Sequence, residues 1–187
     1  MAAARREGGP VRTAFLVGFA GRGVLAVVLA LVVVGLQVLA AVVPRVTMSV
    51  LVLLFGTFAL LDGLGAAATS LRPRTRGDRW TGLEGALGVA AGAAVLTGLV
   101  PTGPPLLRLV GLWALGIGGL ETLVAADLRR RAGRGALFVA GAASLLLGIV
   151  VLTVWPGPGL MAFMWMLGGY AGLVGIARIT VAMRTSA

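Results

Sequence analysis

Long apolar stretches alternate with short polar or proline-containing breaks along the whole 187-residue chain. A helix needs about 20 apolar residues to cross a hydrocarbon core of roughly 30 Å, and stretches of that length use up most of the chain. They predict helices at about 22–43, 46–70, 80–100, 105–126, 135–155 and 159–182. The pattern is that of an all-α, polytopic integral membrane protein with six transmembrane helices.

Prolines mark the turns after the first, third and fifth predicted helices. Pro44, Pro101 and Pro156 lie 57 and 55 residues apart, and proline cannot continue a helix interior. Two sets of glycines keep this spacing: Gly35, Gly92 and Gly148 precede the prolines, and Gly63, Gly119 and Gly175 follow them. The spacing predicts three tandem helical hairpins in one membrane domain over 22–183, with repeats at about 22–71, 80–128 and 135–183. Two-helix units insert in the same direction, so a pseudo-threefold axis along the membrane normal is expected.

The arginines predict the orientation of the chain. Thirteen of the sixteen basic residues lie in the terminal segments or in the loops after the second and fourth helices. Only Arg45 and Arg108 lie on the opposite side, and Arg178 lies within a helix. By the positive-inside rule both termini are cytoplasmic. The prediction is a basic cytoplasmic N-terminal segment over 1–21 and a cytoplasmic tail over 184–187, in a bacterial inner membrane.

Composition narrows the chemistry. Charged residues make up 12% of the chain and its mean hydropathy is +1.04, whereas soluble domains carry about 25% charged residues. The absence of cysteine and histidine excludes thiol chemistry, disulfides, Cys/His metal sites and histidine catalysis. With no P-loop or dinucleotide fingerprint either, we expect a non-enzymatic protein with no cofactor and no metal. The net charge of +10 is compatible with nucleic-acid binding, but the basic loops are short and lack aromatic residues. The expected partner is therefore the lipid bilayer and not nucleic acid, and a homo-oligomer remains open.

Four ionisable residues lie inside the predicted helices, Asp62, Glu84, Glu121 and Arg178. An intramembrane charge costs roughly 2.5–3.5 kcal/mol at a helix centre on insertion scales and marks a functional site by default. All four lie in the cytoplasmic halves of their helices, so we expect them to meet in one layer as an intramembrane charge cluster. Asp62, Glu121 and Arg178 follow their prolines by 18, 20 and 22 residues, which predicts near-equivalent places in the three repeats.

Two roles are open for this cluster. Arg178 could neutralise one carboxylate in a half-buried ion pair that specifies helix packing, while another carboxylate snorkels or pairs with Arg22. Alternatively, the surplus of carboxylates forms a proton-titrating or ion-binding cluster that responds to cytoplasmic pH. The second role would suit an acid-stress function.

Glycines spaced four apart form two stripes that predict close helix packing. Gly88 and Gly92 share a helical face with Glu84, and Gly168 and Gly172 form a second stripe. Small residues at this spacing let helices approach closely. The stripes predict packing inside the bundle, with dimerisation as the alternative.

The helix sequences resemble a known family. The first helices of the three units end in GLQVLAAVVP, GAAVLTGLVP and GIVVLTVWP, and the second helices contain GTFALLDG, GIGGLE and GLVGIAR. These segments are similar to those of the HdeD-type membrane proteins, which are built from three short two-helix repeats. The resemblance covers about residues 22–183 and implies a cytoplasmic-membrane protein, linked in some members to acid resistance. The alternatives are a small transporter or channel that uses the inner-leaflet carboxylates, for a substrate or ion that is unknown, and a membrane scaffold or partner-binding protein.

Overall fold

Six helices account for almost all of the structure. The computed structural model describes residues 9–42, 44–71, 76–127, 134–154 and 159–186. Within these ranges, only residue 71 and the segment 97–103 are not helical. The helices are α1 (Gly9–Val42), α2 (Pro44–Ser70), α3 (Arg76–Leu96), α4 (Pro104–Asp127), α5 (Arg134–Val154) and α6 (Gly159–Ser186).

Four helix boundaries differ from the sequence-based prediction by four residues or more: the start of α1, both ends of α3, which begins at Arg76, and the end of α6, which lies at Ser186. Helix α1 begins at Gly9, thirteen residues before the predicted start at 22. Helix α3 ends at Leu96 instead of 100, because Gly98 has a φ of 74° and takes the left-handed conformation that commonly ends a helix. Gly103, with a φ of 95°, completes the turn into α4.

The three prolines do not occupy identical positions. Pro44 is the first residue of α2, a place that suits proline because the missing N–H would have no partner there. Pro101 lies in the turn between α3 and α4. Pro156 lies outside the described residues. Pro44 and Pro101 therefore mark helix boundaries, but the turns around them are built differently.

Four helical segments are long and apolar enough to cross a membrane: Ser49–Ser70, Pro104–Asp127, Arg134–Val154 and Ala162–Thr180. In α1 the described apolar stretch, Ala20–Leu36, is shorter. Within the described residues, helix α3 contains no segment that is both long enough and apolar enough to cross a membrane. The chain is thus an all-helical, membrane-type protein, and crossing by all six helices stays a prediction.

The helices form a closed ring within the described part of the chain. Each helix packs against the helices that precede and follow it, and α6 closes the ring against α1. Packing is closest in the pairs α2–α3, α4–α5 and α1–α6, and it is looser in the pairs α1–α2, α3–α4 and α5–α6, which the sequence predicted as hairpins. The closest partner of a helix is therefore not the one that the predicted hairpin assigns to it.

Pairs of glycines produce these close contacts. A methyl group added at Gly63 on α2 would lie 2.8 Å from the backbone oxygen of Gly85 on α3, and one added at Gly85 would lie 2.8 Å from the oxygen of Gly63. Only glycine leaves room for two backbones at this distance. The same reciprocal contact joins α4 to α5 through Gly118 and Gly141, and α6 to α1 through Gly175 and Gly23. We call these three contacts the glycine crossings.

The glycine crossings correct two positions in the predicted repeat. Gly118, and not Gly119, lies at the α4–α5 crossing, and a methyl group on Gly119 would meet no atom within 4 Å. Gly35 likewise has no neighbour within 4 Å. Counting from the prolines misplaced both glycines, because the turns differ in length.

The interior of the ring contains a large apolar core. All six helices contribute to one cluster of buried residues. In this cluster, Trp113 packs edge-to-face on Phe55 and Phe58, with ring centroids 5.4 and 6.2 Å away. The outer faces also carry large apolar side chains, for example Leu31, Leu146 and Ile176. Helices that are apolar both inside and outside are typical of a membrane protein.

A buried charge network as the candidate functional site

Five charged side chains meet inside the ring. They come from five of the six helices, and each is 2–5% exposed. Burial of charges is tolerated only when they are paired and hydrogen-bonded. We call these five residues the charge network: Arg22 on α1, Asp62 on α2, Glu84 on α3, Glu121 on α4 and Arg178 on α6.

Asp62 is bound by both arginines. The Nε and Nη2 atoms of Arg22 donate to the two carboxylate oxygens of Asp62 at 2.8 and 2.9 Å. Nη1 of Arg178 donates to Oδ1 of Asp62 at 2.8 Å. The first contact has the bidentate geometry that makes arginine–carboxylate pairs strong. Asp62 therefore links α2 to both α1 and α6.

Glu84 is also shared between the two arginines. Nη2 of Arg22 forms an ion pair with Oε1 of Glu84. Nη2 of Arg178 donates to the same oxygen at 3.3 Å. Glu84 thus ties α3 to α1 and α6, which closes the network across the interior of the ring.

Glu121 has a different environment. Its Oε1 atom accepts a hydrogen bond of 2.6 Å from Nη2 of Arg178, the only arginine among the described residues that it contacts. Its Oε2 atom faces the hydroxyl of Ser144 on α5 at 3.5 Å. Ser144 lies 2.9 Å from the backbone oxygen of Ala140 and 2.9 Å from the hydroxyl of Tyr170. Glu121 therefore lies between one guanidinium and a pair of neutral hydroxyl groups.

The network contains three carboxylates and two guanidinium groups. With every group ionised, its charge is minus one, and a single bound proton makes it neutral. Removing one partner from a buried ion pair typically costs about 3–5 kcal/mol, because the remaining charge is left uncompensated. Two further N–H groups, Nε of Arg178 and Nε1 of Trp113, are buried without a hydrogen-bond partner in the described structure.

The structure brings together Asp62, Glu84, Glu121 and Arg178, the four residues of the predicted cluster. It adds Arg22, which the sequence interpretation counted among the cytoplasmic topology signals and offered as one possible partner. A local signal could have identified it. Arg22 directly precedes the crossing glycine of α1, just as Glu84 directly precedes the crossing glycine of α3.

The expected equivalence of Asp62, Glu121 and Arg178 is only partly right. Glu121 and Arg178 each follow a crossing glycine by three residues, whereas Asp62 directly precedes Gly63. The position in α2 that matches Glu121 is Ala66, which is fully buried. When the helices are aligned on their crossing glycines, Asp62 is therefore one helical turn out of register with Glu121 and Arg178.

The four packing glycines face other helices of the same chain. A methyl group on Gly88 would lie 2.8 Å from the Cα atom of Gly63, and one on Gly92 would lie 2.5 Å from the backbone nitrogen of Leu60. Gly168 and Gly172 have more room, with nearest atoms at 3.3 and 3.7 Å. The first stripe lies at the α2–α3 contact and the second lies at the α1–α6 contact.

Among the described residues, no group of three or more acidic side chains is arranged to hold a metal ion. The arginines contact both oxygens of Asp62 and the Oε1 atoms of Glu84 and Glu121. Since carboxylates outnumber arginines, the chemistry open to the network is the binding of a proton.

Comparisons with known proteins give one match. A family model described as a short repeat of unknown function (DUF308) matches residues 21–97 and 139–187, about two thirds of the chain. Both matched segments include members of the charge network. No curated protein and no solved structure gives a significant match.

Proposed function

The chain belongs to the DUF308 family of short repeats of unknown function, and on that premise we propose a role for it in a bacterial cytoplasmic membrane. It is a non-enzymatic, HdeD-like membrane protein that acts in resistance to acid or general stress. The proposal includes three copies of the two-helix unit, six membrane crossings and cytoplasmic termini.

The packing supports three copies of one unit. The glycines at the three crossings on α2, α4 and α6 lie 55 and 57 residues apart. The flanking side chains repeat as well: a methyl group on Gly56 would meet Leu96, and one on Gly111 would meet Leu152 in the same way. Three equal contacts around a closed ring support the pseudo-threefold arrangement.

A topology experiment tests the crossings. Reporters fused at residue 103 and after the last residue are expected to lie on opposite sides of the membrane, with residue 103 outside. A cytoplasmic signal at residue 103 would refute the proposed topology.

One observation carries the stress role: a fully buried network that has one more carboxylate than arginine. If the folded protein holds a proton there that the unfolded chain releases, acid stabilises the fold. Most ion pairs weaken when carboxylates are protonated, whereas this network reaches neutrality when it gains one proton. A protein built in this way keeps its structure when the cytoplasm becomes acidic.

Survival in acid tests the physiological role. Deletion of the gene from its bacterium is expected to lower survival after acid exposure. The wild-type gene and Gly168→Ala, the matched packing variant, are expected to restore survival, whereas Arg178→Met is not. Survival unchanged by the deletion, in both acid and general stress, would refute the role.

A membrane scaffold is the second candidate, because paired charges and a filled core also suit a purely structural protein. A scaffold would restore survival regardless of the charge state of the network, provided that it folds. A transporter would need a water-filled path to Glu84 and Glu121, whose residues are 4% and 2% exposed. We expect no proton or ion flux above that of empty vesicles when the protein is reconstituted in liposomes, and flux that depends on Glu121 would support the transporter instead.

A further inference from the structure

We infer that Glu121 is the residue of the charge network that binds the exchangeable proton, at its Oε2 atom, and that Ser144 and Tyr170 form the polar lining of this proton site. The inference rests on the proposed function for its physiological meaning and names the group at which acid acts. The proton forms an O–H bond at Oε2, and no other covalent bond changes.

The distribution of the arginines singles out Glu121. Asp62 and Glu84 each contact both Arg22 and Arg178, so two positive charges stabilise the ionised form of either carboxylate. Glu121 contacts Arg178 alone. Since two guanidinium groups cannot neutralise three carboxylates, the carboxylate with one arginine is the one that gains most from a proton.

Hydrogen-bond geometry agrees with a proton at Oε2. A serine hydroxyl has one proton to donate and two lone pairs to accept with. The proton of Ser144 is directed to the backbone oxygen of Ala140 at 2.9 Å, whereas Oε2 of Glu121 is 3.5 Å away, beyond the usual range for O–H···O bonds. An ionised Oε2 atom would therefore lack a close donor.

With a proton on Glu121, each of these groups has a partner. Ser144 donates to Ala140 and accepts from Tyr170, so one lone pair of Ser144 is left for the O–H group at Oε2, which donates to it once the two oxygens close from 3.5 Å to hydrogen-bond distance. Oε1 keeps its bond to Arg178. One proton thus satisfies the hydroxyl pair and makes the network neutral at the same time.

Every helix next to Glu121 contributes to this environment. The titratable, charged and hydroxyl groups that surround it in the described structure are Arg22 (α1), Asp62 (α2), Glu84 (α3), Ser144 (α5), and Tyr170 and Arg178 (α6). No second positive charge lies within ion-pairing distance of Glu121 among them.

Infrared spectroscopy of the full-length protein in liposomes can locate the proton. A protonated carboxyl group has a carbonyl band that an ionised one lacks, and carbon-13 in the glutamate side chains shifts that band. In the wild-type protein the band is expected to appear as the pH falls and to shift with labelled glutamate. No band at any pH, or a band insensitive to labelled glutamate, would overturn the inference.

Two variants that conserve charge separate Glu121 from Glu84. In Glu121→Asp the band is expected to lose its sensitivity to labelled glutamate and to gain sensitivity to labelled aspartate. In Glu84→Asp, the matched control, it is expected to stay sensitive to labelled glutamate. The reverse pattern would place the proton on Glu84 and overturn the inference. Amide variants are unsuitable here, because removing either carboxylate already makes the network neutral.

Ser144→Ala covers the case in which an aspartate variant fails to fold. It removes the hydroxyl that Glu121 faces and touches neither Asp62 nor Glu84, so the band of wild-type Glu121 is expected to move in frequency. An unmoved band would overturn the inference. If the band behaves as expected but deletion of the gene leaves survival unchanged, the proton site stands and the stress role fails.

Discussion

The glycine crossings and the charge network lie side by side in the same ring, but only the crossings repeat. At the crossings, α2, α4 and α6 each place a glycine against a glycine of α3, α5 or α1 with nearly identical distances. The residue directly before the crossing glycine is Arg22 in α1, Glu84 in α3 and Ala140 in α5, and only the first two belong to the network. Equivalent backbone positions therefore carry a positive, a negative and a neutral side chain.

The difference shows which constraint acts on each region. Close approach of two backbones depends only on the absence of a side chain, and each crossing meets this requirement separately. Charge compensation belongs to the whole interior, so it can be met by unlike residues at like positions. The glycine contact consequently recurs at three helix pairs, whereas the charged residues do not recur.

The largest expected effect comes from breaking the network at its most connected residue. Arg178→Met removes one partner from Asp62 and Glu84 and the only arginine that Glu121 contacts in the described structure, and it is expected to lower the free energy of unfolding by about 3–5 kcal/mol. Unfolding in mixed micelles, followed by circular dichroism, measures this loss. Adding Glu121→Met restores the original charge of minus one and should recover much of it. A double variant no more stable than the single one would show that the pair does not act as a unit.

A smaller loss of stability is expected when a methyl group is added to a glycine at a helix–helix contact, and its size should differ between Gly92 and Gly168. Gly92→Ala would place a methyl group 2.5 Å from the backbone nitrogen of Leu60, and overpacking of this kind costs about 1–3 kcal/mol. In Gly168→Ala the nearest atom to the added methyl group is the end of the Val34 side chain at 3.3 Å, and its other neighbours lie at ordinary contact distances, so we expect a change of less than about 1 kcal/mol. The same unfolding measurement compares the two variants. Equal losses would contradict the difference between the two contacts.

Stability should also depend on pH in a way that Glu121 controls. If the folded protein binds one proton that the unfolded chain does not, the free energy of unfolding falls as the pH rises, by up to about 1.4 kcal/mol per pH unit. Glu121→Gln mimics the neutral form and should remove that slope while leaving stability in acid nearly unchanged. Asp62→Asn, at a carboxylate held by both arginines, should destabilise the protein at every pH. A slope that survives in Glu121→Gln would place the proton outside the charge network.

The smallest effect is expected from the loss of the Tyr170 hydroxyl group. Tyr170→Phe removes a hydroxyl that contacts Ser144, while Ser144 keeps its bond to Ala140. Lost hydrogen bonds of this kind cost about 0.5–1.5 kcal/mol. Phe58 and Trp113 stand 112 and 57 residues before Tyr170, at matching places in α2 and α4, which indicates that the site accepts an apolar ring. A loss above this range would mean that the hydroxyl has a larger role in the network.

Helix number and type could be predicted from the sequence, because apolar length and proline positions depend on local composition. The helix starts were less accurate: residues 9–21 contain five large apolar residues, and Pro10 in the first turn of α1 is a helix-start signal that the predicted start at 22 did not use. Four network residues were identified because a charge inside an apolar stretch is conspicuous. Ser144 and Tyr170 were missed, since a hydroxyl inside a glycine-rich apolar helix looks like ordinary packing.

The sequence by itself determined that this is an all-helical, membrane-type chain with spaced glycines and four charges inside its apolar helices, because these properties depend on residue type and spacing. Only the tertiary structure decided which helices meet. It joined α2 to α3, α4 to α5 and α6 to α1. As a result, two arginines that are 156 residues apart in the sequence, Arg22 and Arg178, contact the same carboxylate. The physical reason is that backbone approach at a glycine needs a partner glycine from another helix. Pairing of that kind is not encoded in either helix alone, and the position and charge balance of the network follow from it.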